Sequence, residues 1–286
     1  MGRQHLVDHP HPPIDELSPH ELRACGTSTV LEVFQETRDT MNDDTPFPWP
    51  GGARAAVSLT YDDAVPSQRT AAQELLGVGL RGTYFLTGNS ADLRERRQAW
   101  RELLAAGHEL ASHTMHHPCD CSHAWVPRGY TTQDYDRPRM AAELDETLQL
   151  LGTLGAPRPY TFAYPCGETA IGAARESYVD LVEQRFLAAR SVEARLADPW
   201  RDPLSLVPAI DGARPSEELI ARVDDAIRRG GWLVLLFHGV GADHMAVERG
   251  AHTALLRHLE RRRDAVWTDR FGTVAAHVRE QRAAQA

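Results

Sequence analysis

From Ala55 to the end of the chain, short apolar runs alternate with longer stretches that carry a helical spacing of apolar and charged side chains. The runs are Ala55–Asp62, Gly82–Leu86, Glu109–His113, Tyr160–Pro165, Phe186–Val192, Leu204–Ile210, Trp232–His238 and Ala265–Thr268. The helix-like stretches include Gln68–Leu76, Arg94–Ala106, Pro138–Leu154, Ser216–Arg229 and Glu248–Arg263. A run of that length fits a buried strand, and a helix between successive strands is the crossover that keeps them parallel. Seven or eight such units predict an α/β fold in which parallel strands curl into a distorted (β/α) barrel. Residues 1–54 read differently. The stretch Asp43–Gly52 (DDTPFPWPGG) holds three prolines and two glycines, which predicts an N-terminal arm, with a short helix or strand at Ser28–Phe34, ahead of a barrel over 55–286.

Composition removes several chemistries. Of 286 residues, 40 are acidic and 31 basic, for a net charge of −9, and no basic block is present. A nucleic-acid partner is therefore not expected, because phosphate binding needs clustered positive charge. Every basic residue is arginine, which excludes Schiff-base and P-loop lysine mechanisms. The longest wholly apolar run, Trp232–Phe237, is far short of the ~20 residues that cross a bilayer. The opening MGRQHLVDHPHPP lacks the apolar core of a secretory signal, so the expectation is a cytoplasmic protein with no membrane partner. The cysteines at 25, 119, 121 and 166 show no C-x-x-C spacing, and in a reducing compartment they are expected as thiols.

Polar residues interrupt the apolar pattern at one kind of position. Asp62 and Asp63 end the first run, His113 the third, Pro165–Gly167 the fourth, Asp211 the sixth and His238 the seventh. In barrels of alternating strands and helices, strand C-terminal ends converge on one rim, where catalytic side chains gather. His113 and His117 are four residues apart, which places both imidazoles on one face of a helical turn, while His116 points elsewhere. Alone, two solvated or core histidines explain the pair equally well. A carboxylate from another strand end completes a two-histidine, one-aspartate set with an open position for water. Asp62 and Asp63 cannot both face inward in an extended chain, so the chain must bend where Val65-Pro66 permits it. One carboxylate then ligates and the other acts as base.

The series TYDDA at 60–64, SHTMHHP at 112–118, FAYPCG at 162–167 and LVLLFHGVG at 233–241 resembles the polysaccharide deacetylases with the NodB homology domain, the family 4 carbohydrate esterases. The resemblance covers roughly 55–279, in the family's order. It implies a NodB-like barrel and hydrolysis of an N-acetyl or O-acetyl group, usually on an amino sugar, with one divalent metal ion of the zinc class. By matching position, Asp62 resembles the catalytic base, and Asp63, His113 and His117 the metal ligands. His238 resembles the general acid, and the backbone N–H of Cys166 an oxyanion donor.

Two departures stand out. The family commonly has an arginine bracing the base where this chain has Ala163, and an aromatic residue at Cys166. Its Asp-x-x-Asp-Trp segment is reduced to Asp211, which is expected to accept the second ring N–H of His238. Trp125 and Tyr130 are candidates for an aromatic sugar wall. Cys119 and Cys166 are expected as neighbours, either inert thiols or a redox pair. An N-acetylated sugar or small amide is the expected substrate. Hydrolysis of a cyclic imide or ureide, and a sugar-binding module without turnover, are the alternatives.

Overall fold

The computed structural model describes residues 46–285, all within one compact unit spanning Met41–Ala286. The element expected at Ser28–Phe34 lies outside the described residues. In chain order the elements are β1 (Ala55–Asp62), α1 (Ser67–Gly77), β2 (Thr83–Leu86), α2 (Ala91–Glu95), α3 (Arg97–Ala105), β3 (Glu109–Ser112), α4 (Arg137–Leu154) and β4 (Thr161–Ala163). A small antiparallel ribbon follows, β5 (Ala170–Ile171) with β6 (Glu176–Ser177), then α5 (Val179–Glu183), β7 (Ala188–Arg190), β8 (Ile210–Asp211), α6 (Ser216–Arg229), β9 (Trp232–Phe237), α7 (Arg249–Arg261), β10 (Val266–Thr268) and α8 (Phe271–Gln285).

The main sheet runs β7-β4-β3-β2-β1-β9-β8, with β10 pairing beside the start of β1. Every pairing in it is parallel. Val207, just ahead of β8, bridges to Arg190 at the end of β7 and brings the two sheet ends together. The result is the expected distorted barrel, with helices outside. Its interior is set by strand alternation. Along β1, Ala55, Val57, Leu59 and Tyr61 pack outward against helices. Ala56, Ser58, Thr60 and Asp62 therefore face the interior, where Phe85, Ala111, Ala163, Ala188 and Val234 join Ala56. Small interior residues leave room at the rim for one long side chain.

Local chemistry explains the element bounds. Helix α6 matches its expected range because Pro215 precedes it, Glu217 and Glu218 occupy its first turn, Arg228 and Arg229 its last, and Gly230 follows at φ 79°. Asp136 caps α4 by accepting from the Arg139 N–H at 2.8 Å. The expected strand Leu204–Ile210 is instead a 3₁₀ turn at Leu204–Leu206 and a two-residue strand, since Pro203 and Pro208 cannot donate to a ladder. The last residues of the arm are part of the barrel base: Phe47 and Trp49 are buried, and Trp49 Nε1 donates to the Gly230 carbonyl at 3.0 Å. No helix among the described residues is long and apolar enough to cross a membrane.

His108, entering β3, is buried with its Nδ1 accepting the Gly82 N–H at 3.0 Å. Burial, helped by the Arg81 charge, lowers its pKa from 6.5 to about 4. The folded state thus resists protonation that the unfolded chain accepts, so stability present above pH 6.5 is lost as pH falls toward 4. In urea titrations from pH 7 to pH 4, the native chain should lose up to about 3 kcal/mol more than His108→Gln; parallel losses would mean His108 does not carry this dependence.

Candidate functional site

The strand ends deliver their polar residues to one rim. Asp62 closes β1 facing inward, and the chain then reverses through left-handed backbone at Asp63 (φ 78°) and Ala64 (φ 55°). That bend, required by the paired carboxylates, brings Asp63 round to the same rim. Gln68 ties the ends of β1 and β9 together by donating to the carbonyls of Asp62 and His238.

His113 and His117 converge, with their Nε2 atoms 3.1 Å apart, but not on a helical turn. Thr114 (φ 62°) and His117 (φ 54°) are left-handed, and 113–117 contains no helix. Hydrogen bonds to Glu143 on α4 hold this loop open. One Glu143 oxygen accepts the N–H groups of Met115 (2.9 Å) and His116 (2.7 Å), and the other faces His116 Nδ1 at 2.9 Å. His116 therefore points away, as expected. His113 Nδ1 donates to the Ala163 carbonyl at 2.8 Å, which leaves Nε2 to face the site with its lone pair. Asp63 Oδ1 lies 3.7 Å from His113 Nε2 and 3.4 Å from His117 Nε2. These three residues could together hold a metal ion. Burial, with His113 nearby, lowers the His117 pKa to about 4. Against the upward push of burial, the His244 hydrogen bond and the nearby His117, His113 and His238 hold Asp63 well below the usual carboxylate range.

The brace absent at Ala163 comes from the next strand. Arg190, the register partner of Ala163 on β7, is wholly buried and donates through Nη2 to Asp62 Oδ2. The other oxygen, Asp62 Oδ1, is buried without a hydrogen-bond partner. Arg190 was missed in the sequence, where it lies inside the fifth apolar run; in the structure it ends β7, at the same rim as the other polar residues. His244 was missed too. Its Nε2 lies 2.8 Å from Asp63 Oδ2, from a loop whose sequence carries no periodic signal.

Two expectations are corrected. Asp211 does not reach His238: its Oδ1 accepts the Ala213 N–H at 2.9 Å, and His238 Nδ1 is buried without a partner. The register explains this, because Asp211 pairs with Leu236, two residues short of His238 and therefore about 6.6 Å below it along the strand. Cys119, Cys121 and Cys166 are not thiols. Cys119 and Cys166 form a disulfide, and Cys121 is also disulfide-bonded. The barrel apposes the loops bearing Cys119 and Cys166, as expected from the motifs that carry them, and the pair is bridged. The bridge links the histidine loop to the left-handed turn at Cys166 (φ 52°), with Cys119 Sγ 3.5 Å from His117 Nδ1. Trp125 is exposed, its ring 5.7 Å from that of His117, whereas Tyr130 stacks on His116 at 4.6 Å.

A cavity of about 640 Å³ opens at the opposite rim. Its buried-edge carboxylate, Glu109, is already satisfied by Thr83, Thr161 and the Gly272 N–H, so reactive groups concentrate at the Asp62 rim. Breaking a buried pair leaves an uncompensated charge, at a cost of about 3–5 kcal/mol. Arg190→Met should lower unfolding free energy by that amount, and Asp62→Asn combined with Arg190→Met should cost less than the sum of the single changes. Strict additivity in this double-mutant cycle would show that the two groups are not coupled.

Residues 51–179 match the family model described as polysaccharide deacetylase. A Mycobacterium smegmatis protein described as a polysaccharide deacetylase has a similar structure, with a TM-score of 0.60 at 18% identity over 85% of this chain and 96% of that one. For the peptidoglycan deacetylase PdaC from Bacillus subtilis the TM-score is 0.51 at 14% identity, covering 83% and 96%. For a family 4 carbohydrate esterase from Streptomyces lividans it is 0.50 at 21% identity, covering 76% and 93%. A gellan lyase from Bacillus sp. is 25% identical over 265 residues, which are 82% of this chain and 10% of that protein, so the chain spans about a tenth of this curated relative's length. The span 51–179 contains both carboxylates and both clustered histidines of the rim; over that span the chain matches the polysaccharide deacetylase family, and its fold is that of the family 4 carbohydrate esterases.

Proposed function

We propose that this protein is a divalent-metal-dependent hydrolase, of the zinc class, that removes an acetyl group from the nitrogen of an amino sugar or a small amide. The observation that carries the reading is the unpaired, buried Asp62 Oδ1 beside the Asp63, His113 and His117 cluster. The donor set fits such an ion. His117 is held neutral and Asp63 anionic, and the His113 hydrogen bond to Ala163 presents its other nitrogen. Two imidazoles and one carboxylate leave a coordination position open, as catalytic zinc sites require. When bound, the ion lowers the pKa of water and polarises the acyl oxygen.

The remaining work belongs to side chains of this chain. Arg190 occupies Asp62 Oδ2 and fixes the carboxylate plane, so Oδ1 is free to take the proton of the attacking water. The Cys166 N–H, in the turn bridged to Cys119, serves as the donor to the developing oxyanion. His238 passes a proton to the leaving amine. Burial lowers its proton affinity, which favours that release. Exposed Trp125 beside His117 offers a flat apolar face for a sugar ring. The reading takes the bridged form as the working one, which an oxidising compartment maintains, in place of the cytoplasmic chain with thiols expected from the sequence.

Asp62→Asn should keep its metal by elemental analysis and lose activity on the order of 10²-fold or more, the range for losing a general base. Asp63→Asn and His113→Ala should lose the tightly held equivalent that survives purification; the opposite pattern at 62 and 63 would exchange their roles. Trp125→Ala should raise KM for an N-acetylated oligosaccharide by up to about 10-fold while leaving a small N-acetyl amide unaffected. An equal effect on both would remove the sugar platform from this reading.

A further inference from the structure

The two oxygens of Asp63 face two different pairs of histidines. Oδ1 looks to His113 and His117, at 3.7 and 3.4 Å. Oδ2 looks to His238 Nε2 at 3.8 Å and His244 Nε2 at 2.8 Å. Asp63, His238 and His244 form a second group whose ligand atoms all lie within 4.8 Å of one another. Metal–donor bonds of 2.0–2.1 Å at a tetrahedral angle put donors about 3.3 Å apart. The separations of 3.1–3.7 Å in the first group and of 2.8 and 3.8 Å from Asp63 in the second bracket that spacing, so each could close around an ion.

The loop that carries His244 is fastened in place. Its own backbone closes it through Gly239 N–H to the His244 carbonyl (3.2 Å) and Val247 N–H to the Gly239 carbonyl (3.0 Å). Ser67 anchors it from α1: its N–H donates to Asp243 Oδ2 at 2.8 Å, and its hydroxyl to the Ala242 carbonyl at 3.3 Å. His244 is thereby presented to Asp63 even though its side chain is 52% exposed, which also leaves an entry path for an ion from solvent.

We propose that Asp63 Oδ2, His238 Nε2 and His244 Nε2 form a second site for a divalent transition-metal ion, sharing the Asp63 carboxylate with the first. This site binds more weakly, because one carboxylate then serves two cations and one ligand stands half in solvent. Its occupation inhibits: an ion on His238 Nε2 takes the lone pair that would otherwise carry the proton to the leaving amine. That consequence rests on the acid role proposed for His238, whereas the site itself does not.

The test is a titration of chelator-stripped protein with Co²⁺, followed by visible absorption and equilibrium dialysis, on the native chain and on His244→Ala, His244→Gln and His113→Ala. The native chain should take up about two equivalents, the second more weakly, as a two-metal site implies. Both His244 variants should stop at about one, and His113→Ala should keep about one that disappears when His244→Ala is added. Hydrolysis by the native chain should rise with the first equivalent and fall with the second. Saturation of the native chain at one equivalent that both His244 variants retain overturns the second site, as does a second equivalent that persists in both His244 variants. If that single equivalent is lost in His113→Ala, the first site stands and only the second fails. If it is lost in the His244 variants but kept in His113→Ala, the second site stands and the metal assignment of the proposed function fails.

Discussion

The buried pair of Asp62 and Arg190 sets the terms for the rest of the barrel. It joins β1 to β7, strands that are not neighbours in the sheet, across an interior too small for two unpaired charges. A buried ion pair adds little net stability when formed, but losing one partner is costly. The guanidinium lies over the Phe85 ring at 5.3 Å, and the interior positions around the barrel include Ala56, Ala111, Ala163 and Ala188. Because Arg190 occupies one Asp62 oxygen, the other is left facing the site without a partner. A carboxylate held in that way is oriented by the fold and not by solvent.

Around this pair, loops that would otherwise move are tied by groups outside the cluster. Glu143 organises the histidine loop from α4, Ser67 anchors the loop of His244 from α1, and the Cys119–Cys166 disulfide links the histidine loop to the turn after β4. Each tie supplies a hydrogen bond or covalent link at a position where the backbone leaves regular structure, including left-handed residues Asp63, Thr114, His117 and Cys166. Strain of this kind persists only where surrounding bonds over-determine the conformation. The rim combines rigid strands below with fastened loops above.

The resemblance to the polysaccharide deacetylases led to an expectation of a bracing arginine where this chain has Ala163. The arginine expected at 163 stands at 190, its register partner on the adjacent strand. Since both positions face the interior, either can present a guanidinium to Asp62. The contact to Asp62 comes from the strand beside the motif, so a motif read along the chain showed a gap that the barrel does not have.

The sequence by itself determined the alternation of strands and helices, the parallel barrel and the rim at which its polar residues collect, because strand and helix periodicity are local properties of the chain. Helix α6 and strand β1 could be read to the residue. That Asp62 and Asp63 cannot both face inward without a bend followed from the two-residue period of a strand. What the tertiary structure decided was partnership. Arg190 bracing Asp62, His244 reaching Asp63 and the failure of Asp211 to meet His238 all depend on strand register and on which loops the barrel apposes. A slip of two residues in register moves a side chain by about 6.6 Å, twice the length of a hydrogen bond, and no pattern along a single strand records that offset.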